Sequence, residues 1–253
     1  MKRFKFVLSL FFIACIVIFI AYNIKGTNSS GGKSFLIKDL MYDINNDNLA
    51  DKIELYGKKN NVDDNVFLSF ELIATDGDSQ LKRKFSPEFL KGTNPTIALY
   101  EFTGDKIPEV LISAENENFI LTSIASLSGD IITPVFQEAD NAGVRINLAF
   151  GEGFCLNGSF ANSSKLAINL EHVKPALVSY GIYTEDGHYK EKDVPEITPY
   201  QSLLPMDLEG DGIYELCGTQ TIKTKNSNLP LCSLISVYKY TDGFKLTDIK
   251  YTR

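Results

Sequence analysis

Histidine is nearly absent from this sequence, with His172 and His188 the only two among 253 residues. That scarcity removes the commonest general base and the commonest zinc ligand, and no zinc-ligand pair forms with the cysteines. His188 follows the Asp186-Gly187 turn and reads as a solvated turn residue; His172 ends a strand-like run and reads as structural. Gly-x-Ser-x-Gly elbows, phosphate loops and dinucleotide fingerprints are missing too, so no enzymatic role is expected. The alternative is an envelope carbohydrate-active hydrolase built on paired carboxylates that no motif reveals. Tryptophan is absent, and the 17 Phe and 12 Tyr fall mostly at alternating strand positions, where core packing explains them. Tyr183, Tyr189 and Tyr200, at the ends of loops, are the expected exposed aromatics of a binding face.

Cysteine is too sparse for a disulfide framework. Cys15 lies in an apolar run, which leaves Cys155, Cys217 and Cys232, an odd number. Cys217 and Cys232 either bridge neighbouring strands or serve as small apolar core residues. Basic residues are scarce in the body. Five of the 25 and none of the 32 acidic residues lie in 1–33, leaving 20 basic against 32 acidic, or −12, for 34–253. Such a body repels phosphate backbones, so no nucleic-acid partner is expected, and it attracts cations. With 44% hydrophobic and 23% charged residues the chain is neither disordered, collagenous nor multi-spanning.

Long apolar runs are missing everywhere except near the start. Lys2, Arg3 and Lys5 precede a run from Phe6 to Tyr22 broken only by Ser9. Its length lies between a long signal-peptide core and a short membrane span. The small residues that cleavage prefers are not in place, since Phe19 stands two before Ala21 and Phe12 two before Ala14. The favoured reading is a cytoplasmic stretch at 1–5, an uncleaved single-pass anchor at 6–22, a flexible linker at 23–33 and an extracytoplasmic body at 34–253. Cleavage would make the body secreted instead, and a lipobox at Phe12-Ile13-Ala14-Cys15 is the weaker alternative.

Past residue 34 no long helical periodicity stands out. Short runs such as Ile53–Tyr56, Val110–Ile112, Leu166–Leu170 and Leu234–Tyr238 alternate with Gly, Asp and Asn clusters, the pattern of an all-β fold. A turn recurs at Asp76-Gly77, Ser128-Gly129, Asp186-Gly187 and Asp242-Gly243, at spacings of 52, 58 and 56 residues. Four units, expected at 34–91, 92–147, 148–199 and 200–253, would fill the body as repeats that bury their faces against one another.

Upstream of three of those turns lies a nine-residue acidic loop. The copies are Asp43–Asp51, Glu101–Glu109 and Asp207–Glu215. Each carries oxygen side chains at positions 1, 3, 5 and 9 (Asp43, Asn45, Asp47, Asp51; Glu101, Thr103, Asp105, Glu109; Asp207, Glu209, Asp211, Glu215) and an apolar residue at 7 (Leu49, Ile107, Ile213). Alternate positions of a tight loop converge, position 7 can offer its carbonyl, and an all-oxygen set suits calcium rather than zinc. Two or three structural calcium sites are expected. An EF-hand is excluded, because position 12 is Glu54 in the first loop but Ile112 and Gly218 in the others, with strands following.

These loops resemble the calcium-binding signature of FG-GAP and VCBS-type repeats, and the resemblance implies a β-propeller-like body with a structural ion in each loop. The third copy, with Gly212 at position 6, is the nearest match. The second departs most, with Glu101 in place of the usual Asp at position 1, Thr103 a weak ligand, and Lys106 in place of Gly. A fourth copy, due near Gly151-Glu152-Gly153-Phe154, reads as lost. The expected role is membrane-held binding or scaffolding at the cell envelope, with an envelope protein or a carbohydrate as ligand.

Overall fold

The computed structural model describes residues 32–160 and 165–252. The apolar run Phe6–Tyr22 and most of the expected linker lie outside these residues. Among the described residues no helix is long and apolar enough to cross a membrane.

The fold is all-β, built from antiparallel meanders. The first sheet runs β1 (Lys33–Tyr42), β2 (Asp51–Lys59), β3 (Ser69–Thr75) and β4 (Lys82–Phe85) in spatial order. β1 therefore begins at Lys33, which the sequence assigned to the linker. The second repeats the plan with β5 (Thr93–Tyr100), β6 (Glu109–Asn116), β7 (Phe119–Ser126) and β8 (Thr133–Phe136). The third has three strands, β9 (Asn147–Gly151), β10 (Cys155–Ser159) and β11 (Lys165–Asn169). A short helix follows, α1 (Lys174–Ser179), where the sequence showed no helical signal; its one inward residue, Leu177, is fully buried. The fourth sheet holds β12 (Pro195–Ile197), β13 (Ser202–Met206), β14 (Glu215–Thr224), β15 (Pro230–Tyr240) and β16 (Phe244–Thr252). In it β12 and β13 both pair with β14.

Alternation decides the faces. Along β2, Ile53 and Leu55 point inward and are fully buried while Lys52, Glu54 and Tyr56 lie on the other side. β6 is buried on both faces. Val110, Ile112 and Ala114 join the first sheet's Ile53, Leu55 and Leu72 in one cluster. Leu111, on the opposite face, joins Tyr200, Leu203 and Leu216 of the fourth-sheet region in another. The third sheet's Phe150, Leu156 and Ile168 pack on Ile222, Cys232 and Leu234, again of the fourth sheet.

Packing order is thus first, second, fourth, third, and differs from chain order. The first, second and fourth sheets each contain a four-strand meander, the third does not, and the four do not follow one another in space as successive units would. Leu216 and Ile222 lie on one face of β14, so the long fourth sheet receives the second sheet at one end of that face and the third at the other. Its ladders slip at Ile222/Lys223 and at Val237/Tyr238, the kind of irregularity that bends a sheet, and the fold is curled. Where Tyr200 crosses β14, a Cβ on Gly218 would lie 2.3 Å from its ring, so only glycine admits the contact.

The repeated turns divide in the same way. Asp76-Gly77, Ser128-Gly129 and Asp242-Gly243 each join the third and fourth strands of a meander. Asp186-Gly187 instead closes a small loop bridged by Tyr183 and Tyr189, outside the named strands. Cys155, Cys217 and Cys232 are free thiols. Cys217 pairs with Val237 and Cys232 with Ile222, five register steps apart, so the two thiols are not neighbours and no bridge forms.

Candidate metal-binding loops

The three acidic loops occupy one topological place, the link from β1 to β2, from β5 to β6 and from β13 to β14. The left-handed backbone positions coincide. Positions 4 and 6 are left-handed in every copy: Asn46 and Asn48 at φ 60° and 68°, Gly104 and Lys106 at 81° and 71°, Gly210 and Gly212 at 73° and 84°. Asn and Gly accept that region readily and Lys does not. Lys106→Gly should therefore stabilise the protein by about 1 kcal/mol, read as a raised midpoint of thermal unfolding. An unchanged or lowered midpoint would show the loop to be under no strain there.

Hydrogen bonding repeats as well. The carboxylate at position 1 accepts backbone N–H groups from inside the loop: Asp47 and Asn48 donate to Asp43 at 3.2 and 2.8 Å. Gly104 donates to Glu101 at 2.7 Å, and Gly210 to Asp207 at 2.7 Å. Position 5 accepts from position 7, with Leu49 on Asp47, Ile107 on Asp105 and Ile213 on Asp211 at 2.7, 2.8 and 2.9 Å. The acids at position 9, Asp51, Glu109 and Glu215, are all buried. Each accepts the N–H of position 2, from Ile44, Phe102 and Leu208 at 2.8, 2.9 and 3.0 Å. The ninth acid is first of all a staple across its own loop.

A hydrogen-bond donor bridges two carboxylates in each copy. In the first loop Asn45 Nδ2 donates to Asp47 and to Asp76 at 3.0 and 2.8 Å. In the second, Thr103 Oγ1 lies between Glu101 and Glu109, at 3.3 and 3.1 Å, with its single hydrogen to give to either. In the third, Lys239 Nζ lies on Glu209 and 3.5 Å from Glu215. Asp76 and Lys239 were not among the residues the sequence singled out as ligands. Asp76 stands in the first repeated turn, and its neighbour Gly77 donates to Asp51 at 2.7 Å. A Cβ on Gly77 would lie 2.7 Å from the Ala50 carbonyl oxygen, so glycine is required for that approach.

The charge environment differs between copies. Burial, foremost, pushes Glu109 up to about 7, and the charges of Glu101 and Asp105 add to the shift while its hydrogen bonds from Phe102 and Thr103 oppose it. Glu101 Oε2 is buried with no hydrogen-bond partner. Lys239 is held above its ordinary value, mainly by its hydrogen bond to Glu209. Hydrogen bonds from Ser79, the largest cause, hold Asp76 below the usual carboxylate range.

Among the described residues no three carboxylate, histidine or cysteine side chains surround a common point. The donor chemistry of the first two loops nevertheless fits a hard cation. Their oxygens keep lone pairs beyond those the backbone uses, and Asn45 and Thr103 can each present an oxygen instead of a hydrogen. The buried, unpartnered Glu101 oxygen is the kind of atom a cation would satisfy. The third loop differs, because its bridging donor is itself a cation.

The loops stand in a row. A cleft of about 360 Å³ between the first and second is lined by Asn45, Asp76, Arg83, Ile107 and Asp130. Arg83 donates there to the carbonyls of Leu127 and Gly129. A cleft of about 280 Å³ between the second and third is lined by Thr103, Asp211, Tyr214, Glu215 and Lys239. Tyr214 N–H donates to the Glu101 carbonyl at 2.7 Å and ties these two loops together.

The aromatic expectation is corrected. Tyr183 and Tyr200 are buried, at 0% and 1% exposure, because the Tyr183 ring joins the cluster of Phe150 and Leu156, the Tyr200 ring joins that of Leu111 and Leu216, and their hydroxyls bond Gly151 O and Tyr238. Tyr189 is partly buried against Phe150. His188 is exposed between Glu152 and Asp186, as a turn residue, and His172 Nε2 meets the Leu231 carbonyl at 2.8 Å, a structural contact. The turn Glu152–Phe154 joins β9 to β10 at the place of a fourth loop.

An all-β chain with a threefold acidic loop is the class these observations define. Residues 144–252 match the family model of the YybI C-terminal domain. That stretch contains the third and fourth sheets, which share one core cluster. The match is to a family other than the FG-GAP and VCBS repeats that the loops resemble. Comparison with curated proteins finds no match. Among solved structures, the chain is similar to the Bacillus licheniformis rhamnogalacturonan lyase PL11, at 13% identity and a TM-score of 0.35. The alignment covers 89% of this chain and 36% of that one, so this chain spans about a third of the lyase's length.

Proposed function

We propose that the body is a calcium-stabilised binding or scaffolding module, held at the outer face of a membrane through residues 6–22. In this reading the three loop-bearing meanders are blades of one propeller-like repeat, and the third sheet is a unit that has lost its loop. The observation that supports it best is the repeated loop geometry, with positions 4 and 6 left-handed and a donor bridging two carboxylates each time. Asp43, Asn45 and Asp47 in the first loop, and Glu101, Thr103, Asp105 and Glu109 in the second, would hold the ion. A bound divalent cation would offset carboxylate repulsion and stiffen the row of loops that edges both clefts. Those clefts, at the low end of small-ligand size, together with the loops around them form the proposed contact surface.

The test is affinity capture from detergent-solubilised envelopes, with the full chain as bait. Specific retention of an envelope protein or polysaccharide in calcium, and its release by chelator, is the expected result. Identical eluates from bait and blank resin would count against a binding role.

A further inference from the structure

We infer that Lys239 is the resident cation of the third loop, so that calcium is taken at the first and second loops and excluded from the third. The inference rests on the calcium reading above, and it reverses the order that likeness to the calcium signature implies.

Strand register places one residue opposite each ninth-position acid. Extending the ladders one step from Lys52–Thr75, Val110–Ala125 and Leu216–Tyr238 sets Asp76 opposite Asp51, Ser126 opposite Glu109 and Lys239 opposite Glu215. The same structural position is acidic in the first sheet, neutral in the second and basic in the fourth. Lys239 lies on β15, outside the loop it neutralises, and its ammonium reaches both Glu209 and Glu215. Lysine offers three donors and no acceptor, so unlike Asn45 or Thr103 it cannot turn an oxygen toward a metal ion. Glu209, one methylene longer than aspartate, reaches outward to that ammonium. The loop is also the least anchored, since Leu208 at position 2 is 50% exposed while Ile44 and Phe102 are buried. An ion entering it would have to displace the ammonium and then sit beside it. Repulsion between a monovalent and a divalent cation a few ångströms apart weakens binding by roughly tenfold or more even in water.

Equilibrium dialysis of the full-length chain in detergent against radioactive calcium counts the sites. Wild type should bind two ions. Lys239→Gln, a neutral replacement at a partly buried position, should bind a third. Asp211→Asn in the otherwise wild-type chain should leave the number at two, while Asp47→Asn and Asp105→Asn should each lower it to one. Three ions bound by wild type, no gain in Lys239→Gln, or a loss in Asp211→Asn would overturn the inference while leaving calcium binding intact. No ion bound by wild type would overturn the calcium reading and the inference together.

Discussion

In chelator at about pH 8, Glu109→Gln should be more stable than wild type by about 3 kcal/mol. Removing a buried, hydrogen-bonded acid ordinarily destabilises a protein, so the direction is informative. Burial and the charges of Glu101 and Asp105 hold the Glu109 carboxyl at about 7 in the folded chain, against an ordinary value of 4.5. Below the ordinary value the carboxyl is protonated whether the chain is folded or not, and no penalty exists. As pH rises through the window from 4.5 to about 7, the unfolded chain releases the proton more readily, and stability falls. Above that window the full penalty persists. Other carboxylates act in the opposite sense, such as Asp193, which burial pushes up but which hydrogen bonds from Asn226 and Ser227 together hold low. The difference between wild type and Glu109→Gln, followed by denaturant unfolding from about pH 4 to 8, isolates Glu109 from them. A difference independent of pH would show that the acid is not destabilised by its surroundings.

Calcium should act on wild type in the reverse direction. At ten times its dissociation constant, one site adds roughly 1.4 kcal/mol by mass action, so two sites add about 3 kcal/mol. For a chain of this size that corresponds to a rise of roughly 6–12 °C in the midpoint of thermal unfolding. Magnesium, which resists an all-protein shell, should give a smaller rise at equal concentration. Glu109→Gln should lose about half of the calcium response while keeping its gain in chelator. That crossing of two curves is not expected of a purely structural substitution. Superimposed melts in chelator and in calcium would reduce the three loops to solvated turns.

Local features of the fold were legible because they are written in short spans. Ile53–Tyr56, Val110–Ile112 and Leu234–Tyr238 alternate or cluster as strands do, and all three lie within strands. Loop equivalence was legible too, since Asn46, Asn48, Gly104, Gly210 and Gly212 tolerate the left-handed backbone that their positions demand. Long-range features were not. Nothing local in Asp186-Gly187 distinguishes it from the other turns, yet it sits outside the meanders because β12, three residues long, pairs with β14 instead of completing the third sheet. Tyr200 was placed at a loop end on sequence position, and its burial depends on Gly218 and Tyr238, 18 and 38 residues away. Lys239 was invisible as part of the third loop for the same reason, being 24 residues beyond Glu215 and adjacent only through the β14–β15 register.

Calcium in the first two loops and a lysine in the third is the central claim, and a crystal structure of the chain grown in calcium tests it most directly. The expected result is an ion with ligand distances of about 2.3–2.6 Å in each of the first two loops, one drawing on Asp43, Asn45 and Asp47, the other on Glu101, Thr103, Asp105 and Glu109. Lys239 should remain on Glu209 and Glu215, with no ion beside it. An ion at Asp207–Glu215 with Lys239 turned away, or loops identical to those described here with no ion in the first two, would contradict it.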